Sequence, residues 1–84
     1  MRDNEVRDLL VANGAEIEKG YCLVNNYGWI FRLNGHRYDA RFWANVYGFA
    51  RNEWEIMCAE TPPVRMDPDL KARLELKMNT GDHD

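Results

Sequence analysis

Asn34-Gly35 stands between two runs, residues 29–33 and 36–40, in which apolar and polar side chains alternate. Asn-Gly is the strongest short-range hairpin signal, because both residues tolerate the positive φ that a two-residue turn between twisted strands demands. A two-residue turn sets the register: Leu33 faces His36, Arg32 faces Arg37, Phe31 faces Tyr38, Ile30 faces Asp39 and Trp29 faces Ala40. One face of the ribbon then carries Trp29, Phe31, Leu33, His36, Tyr38 and Ala40, and the other carries Ile30, Arg32, Arg37 and Asp39. Such a division is what a half-buried antiparallel sheet requires. A hairpin cannot stand alone, so other elements must cover its apolar side.

The flanking sequence supplies them. Asp3 or Asn4 can cap a first helix with Val6, Leu9 and Leu10 on one side, ended at Asn13-Gly14. Residues 15–18 alternate, Lys19-Gly20 reads as a turn, and residues 21–24 form a short strand-like run before the turn formers Asn25-Asn26-Tyr27-Gly28. After the hairpin, Asp39 is a candidate cap for a helix bearing Phe42, Trp43, Val46 and Tyr47, stopped near Gly48. Residues 52–60 are ambiguous. Asn52 and Glu55 have the spacing of a capping box, while residues 53–58 alternate like a strand; helix is the favoured reading. Asp67-Pro68 opens a last helix with Leu70, Leu74 and Met78 in a stripe. The expected fold is α+β: an N-terminal helix, a small antiparallel sheet with its hairpin at Asn34-Gly35, then two or three helices. Residues 1–79 form one domain, and 80–84 a frayed tail.

An 84-residue chain buries only about 60–65% of its unfolded surface, so large side chains must build the core. All ten aromatic residues lie from Tyr21 to Trp54, and each buries about 150–250 Å². Leu10, Phe31, Trp43 and Leu74 are the expected core. The two cysteines, Cys22 and Cys58, are too few for a disulfide-built secreted domain. Residues 1–8 are mostly charged, and the apolar run at 9–12 is shorter than a signal core or a membrane span. These features predict a soluble cytoplasmic protein.

Catalytic and cofactor signatures are missing from the sequence. There is no phosphate-binding loop, and a chain without serine has no serine nucleophile. Cys22, His36, Cys58 and His83 match no zinc spacing, so neither metal nor cofactor is expected. His36 stands beside Arg37, Tyr38 and Asp39, residue types suited to acid–base cleavage of RNA. Alternation sends His36 and Tyr38 to one face and Arg37 and Asp39 to the other. A helix ending at Gly14, a three-stranded meander and a further helix resembles the order of elements in HicA-type toxin ribonucleases. Those toxins place a catalytic histidine after a Gly-Ser pair, where this chain reads Asn26-Tyr27-Gly28-Trp29. A small RNase of that type is therefore one alternative, carried by element order alone.

Charge is unevenly distributed. The net charge is −3, yet residues 20–52 hold Arg32, Arg37, Arg41 and Arg51 against Asp39 alone. Both flanking segments are acidic. Like charges at Arg32 and Arg37, directly opposite on the hairpin, cost stability unless an anion lies near. Arginine also outnumbers lysine by eight to three, which suits planar contacts with carboxylate or phosphate. The expected partner-binding surface comprises Arg32, Arg37, Arg41 and Arg51, with Tyr27 or Trp29 as stacking partners and His36 beside them. Its targets are an acidic protein surface or nucleic acid. Tyr, Trp and Arg dominate binding hot spots, so a non-catalytic protein-binding module is the leading reading. Size and composition are similar to those of phage and mobile-element accessory proteins that inhibit a host complex, anti-CRISPR inhibitors among them. A nucleic-acid-binding protein is the second reading, although such proteins are usually basic.

Overall fold

The computed structural model describes residues 1–44 and 52–81. In chain order they form α1 (Asp3–Ala12), β1 (Glu16–Cys22), β2 (Asn26–Leu33), β3 (His36–Trp43), β4 (Glu53–Cys58) and α2 (Pro68–Thr80). Asn34 and Gly35 take φ of 54° and 81°, the left-handed pair of a type I′ turn. The register across β2 and β3 is the one that turn dictates, from Leu33 opposite His36 to Trp29 opposite Ala40, and it continues to Asn26 opposite Trp43. The four strands form one antiparallel sheet in the order β1-β2-β3-β4.

Both helices lie on the same side of this sheet. α1 packs on β1, α2 packs on β4, and the helices touch each other. Val6 and Leu10 of α1 meet Leu74 and Met78 of α2 over Phe31 and Leu33 of β2 and Trp54 and Ile56 of β4, all buried. Leu10 and Phe31 are fully enclosed and Leu74 is 2% exposed, as their spacing predicts. Tyr27, Phe42 and Trp54 add a ring cluster on this covered side, with centroids 5.2–5.7 Å apart.

The helix termini follow local chemistry. Glu5 Oε1 accepts from the backbone N–H of Arg2 at 2.8 Å, so the N-cap is Arg2, one residue before the expected Asp3 or Asn4. Ala15 N–H closes the other end on the Leu10 carbonyl at 3.0 Å. Asp67 Oδ2 accepts from Leu70 N–H at 3.1 Å with Pro68 in the first turn of α2, as its sequence predicts.

Several expectations need correction. β1 runs straight through Lys19-Gly20, with a bulge between Ile17 and Lys19. Gly20 is there for room: a Cβ on it would stand 2.7 Å from Cζ3 of the Trp29 ring. Phe42 and Trp43 belong to β3, not to a helix, and Asp39 lies in mid-strand with its carboxylate occupied by side chains. The rest of that expected helix, Val46, Tyr47 and Gly48, falls outside the described residues. Strand alternation puts Trp43 on the face opposite Phe42, so Trp43 is not in the core. Residues 53–58 are a strand: Asn52 has φ of 51°, which an N-cap in extended conformation cannot have, and its N–H donates to the Trp43 carbonyl at 2.9 Å. Trp54 and Ile56 then point inward. Among the described residues, one helix follows the sheet rather than two or three. β4 therefore stands where the element order of HicA-type toxins would have a helix. No helix is long and apolar enough to cross a membrane among the described residues.

Candidate functional site

With both helices on one side, the other face of the sheet is left without a covering element among the described residues. Register places its side chains in rows across the strands. Glu16, Arg32 and Arg37 form one row, Lys19, Ile30, Asp39 and Met57 the next, and Tyr21, Gly28, Arg41 and Glu55 the third. Asn26, Trp43 and Glu53 follow.

The third row organises the face. Gly28 contributes no side chain between β1 and β3, so the Arg41 guanidinium reaches across β2 and donates from Nε to the Tyr21 hydroxyl at 2.8 Å. Its second nitrogen donates to Asp39 Oδ2 at 2.7 Å. The Tyr21 hydroxyl in turn donates to Asp39 Oδ1 at 2.6 Å. Arg41 Cζ lies 5.4 Å from the Tyr21 ring centroid and 5.2 Å from that of Trp43, within cation–π range of both. Asp39 is 4% exposed, and a carboxylate so deeply placed requires this degree of satisfaction. Burial and the bond to Asp39 push ionisation of Tyr21 far above the ordinary phenol range, the bond from Arg41 opposing them. Burial works against the Arg41 charge, but its bonds to Tyr21 and Asp39 outweigh that effect and raise its pKa.

Arg37 donates from Nε to Glu18 Oε1 at 2.8 Å, across from the bulge in β1. The cross-strand arginine pair is thus relieved on one side by an edge-strand acid. Arg32 is exposed and makes no ion pair among the described residues, with Glu16 and Arg37 as its strand neighbours. The face as a whole is mixed: Lys19, Arg32, Arg37 and Arg41 stand with Glu16, Glu18, Asp39, Glu53 and Glu55. Central arginines are bracketed by acids on both edge strands.

The structure brings Arg32, Arg37 and Arg41 together on this face. It places Tyr27, Trp29 and His36 elsewhere. Tyr27 packs in the ring cluster beneath the helices. Trp29 is on that side too, its indole N–H bound to the Asp3 carbonyl at 2.7 Å and Arg7 Cζ 5.6 Å from its centroid. His36 Nδ1 lies 2.7 Å from Glu60 Oε1, across the sheet from Arg37. Arg51 lies outside the described residues. Tyr21, Trp43 and Glu18 are the members that sequence reasoning missed. Asp39 was legible as a polar-face residue, but Tyr21 and Glu18 depend on the β1 bulge, which no short motif announces. Among the described residues no three His, Cys, Asp or Glu side chains gather in a metal-binding group.

No family model matches the chain, and no curated protein or solved structure matches it significantly.

Proposed function

We propose that the chain is a non-catalytic protein-binding module that meets its partner with the open face of the sheet. One observation carries this reading: the uncovered face joins Tyr21, Trp43 and Arg41 in a pre-ordered cluster inside a field of mixed charge. Tyr, Trp and Arg are the residue types on which binding energy concentrates. The Tyr21 and Arg41 rotamers are already held by the bonds to Asp39, so little of their side-chain entropy is lost on contact. Nucleic-acid binding draws on a surplus of cations that displace counterions from phosphate, and acids on both edge strands offset the arginines here. Among the described residues Arg32, like Lys19 on the same face, makes no ion pair and can take an acid from the partner. Inhibition of a larger host assembly by a phage or mobile-element protein, as anti-CRISPR inhibitors act, fits the chain's size and composition. His36, engaged with Glu60 and separated by the sheet from Arg37 and Asp39, gives an RNase reading little support.

The test compares immobilised wild type with Ile30→Asp/Arg32→Glu on host lysate, after thermal unfolding has shown that the variant folds. A protein retained by the wild type and lost by the variant supports the reading. Equal retention by both, or capture of nucleic acid whose affinity falls linearly in log–log form with salt, overturns it.

A further inference from the structure

Away from the open face, the loop between β4 and α2 folds back over the end of β4 and leaves a groove of about 340 Å³. Ile56, Val64 and Met66 give it apolar walls, and Tyr38, Arg65 and Lys71 also line it. The loop is tied down on both sides, by Val64 N–H to Cys58 Sγ at 3.2 Å and by the Asp67 cap of α2. The groove is therefore part of the folded framework.

Two polar groups that line this groove make no hydrogen bond or ion pair among the described residues. The Tyr38 ring is covered, but its hydroxyl is open to the groove and has no hydrogen-bond partner among the described residues. Burial, then the nearby Glu60 and Cys58, raise its pKa, so it is a neutral donor at ordinary pH. Arg65 is exposed at the rim and makes no ion pair among the described residues. The acids nearby are already engaged: Glu60 with His36 at 2.7 Å, and Glu75 with Lys71 at 3.0 Å and the Ile56 N–H at 2.8 Å.

An apolar trough with one unpartnered hydroxyl opening on it and one guanidinium without an ion pair is complementary to a particular chemistry. We propose that this groove binds a small carboxylate with an apolar body, its carboxylate held by Arg65 and the Tyr38 hydroxyl and its body lying on Ile56, Val64 and Met66. The volume falls at the low end of ligand sites, which run from about 300 to 1,000 Å³. The site is separate from the open face and does not depend on the protein-binding reading.

The experiment titrates the uniformly ¹⁵N-labelled chain with 4-phenylbutyrate and with 4-phenylbutanol, its uncharged counterpart. The acid should give saturable shifts at Cys58, Val64 and Lys71, with half-saturation near or below about 1 mM, and the alcohol should bind at least about tenfold more weakly. Arg65→Ala should weaken the acid about tenfold or more, the scale of a charge-assisted bond, and leave the alcohol unchanged. Tyr38→Phe should weaken the acid a few-fold while keeping the ring in the core. No saturable shift, equal binding of acid and alcohol, or an unaltered affinity in Arg65→Ala would each overturn the proposal.

Discussion

Asn79 on α2 grips the backbone of Trp54 on β4 at two points: its Oδ1 accepts from the Trp54 N–H at 2.6 Å and its Nδ2 donates to the Trp54 carbonyl at 3.0 Å. One turn earlier, Glu75 Oε2 accepts from the Ile56 N–H at 2.8 Å. β4 is an edge of the sheet, and its outward backbone groups would otherwise invite pairing with another strand. Helix side chains stand in for a fifth strand. The opposite edge, β1, relies instead on a bulge and on Glu16, Glu18 and Lys19.

Asn79→Leu should therefore destabilise the chain by about 1–3 kcal/mol, because two backbone groups of a strand beneath a helix lose their partners together. Urea denaturation measures this directly. The variant should also self-associate with rising concentration, since the bared edge can pair, and light scattering would detect it. A loss below about 0.5 kcal/mol would mean that water replaces the amide freely.

Phe31 is fully enclosed between the sheet and both helices, with its ring 5.7 Å from that of Tyr38. Phe31→Ala should cost about 3–5 kcal/mol through lost transfer energy and a residual cavity. That is a large fraction of the stability of a domain this small. A loss under about 1 kcal/mol would show that the layers collapse to fill the space.

The parts of this fold that short-range chemistry controls were legible in the sequence. The Asn34-Gly35 turn set the register of β2 and β3 through Arg32 and Arg37, and Asp67-Pro68 announced α2. Where local signals compete with packing, reading failed. Asn52 and Glu55 have capping-box spacing, but burial of Trp54 and Ile56 against α2 selects the period of a strand. Lys19-Gly20 resembles a turn because the reason for Gly20, the Trp29 ring on the next strand, is long-range. The basic centre of the sequence misled in the same way: acids from β1 and β4, distant along the chain, flank its arginines in space.

Tyrosine ionisation should limit stability at high pH. Burial is the leading cause that raises the pKa of Tyr21, Tyr27 and Tyr38 above the unfolded value of 10.0. A raised folded pKa means that the native state holds the proton longer than the unfolded chain. Its contribution is therefore complete below about pH 10 and is lost as pH climbs further. Urea midpoints should stay level with respect to these groups up to that point and then fall. Tyr21→Phe should show a shallower alkaline fall than wild type, and tyrosinate absorbance should rise later in the folded protein than in urea. A Tyr21 phenol that titrates at the same pH in both states would contradict the bonded geometry with Asp39 and Arg41.

The Glu18–Arg37 pair gives the sharpest check on the open face. Both side chains are about one-third exposed, at 32% and 36%, so their attraction is partly screened and worth about 0.2–1 kcal/mol. Arg37→Glu removes that attraction, sets two carboxylates against each other and relieves the repulsion from Arg32 on the other side. The two changes oppose, and the net loss should be about 1 kcal/mol or less. Glu18→Arg has no such relief and should cost more, because it adds a third guanidinium to the row. Exchanging the two residues, Glu18→Arg with Arg37→Glu, restores opposite charges and should recover over half of the summed losses in a double-mutant cycle. The coupling should shrink as salt rises from 0.01 to 1 M, where screening shortens from about 30 Å to about 3 Å. Strictly additive losses at low salt would show that Arg37 and Glu18 do not meet in solution.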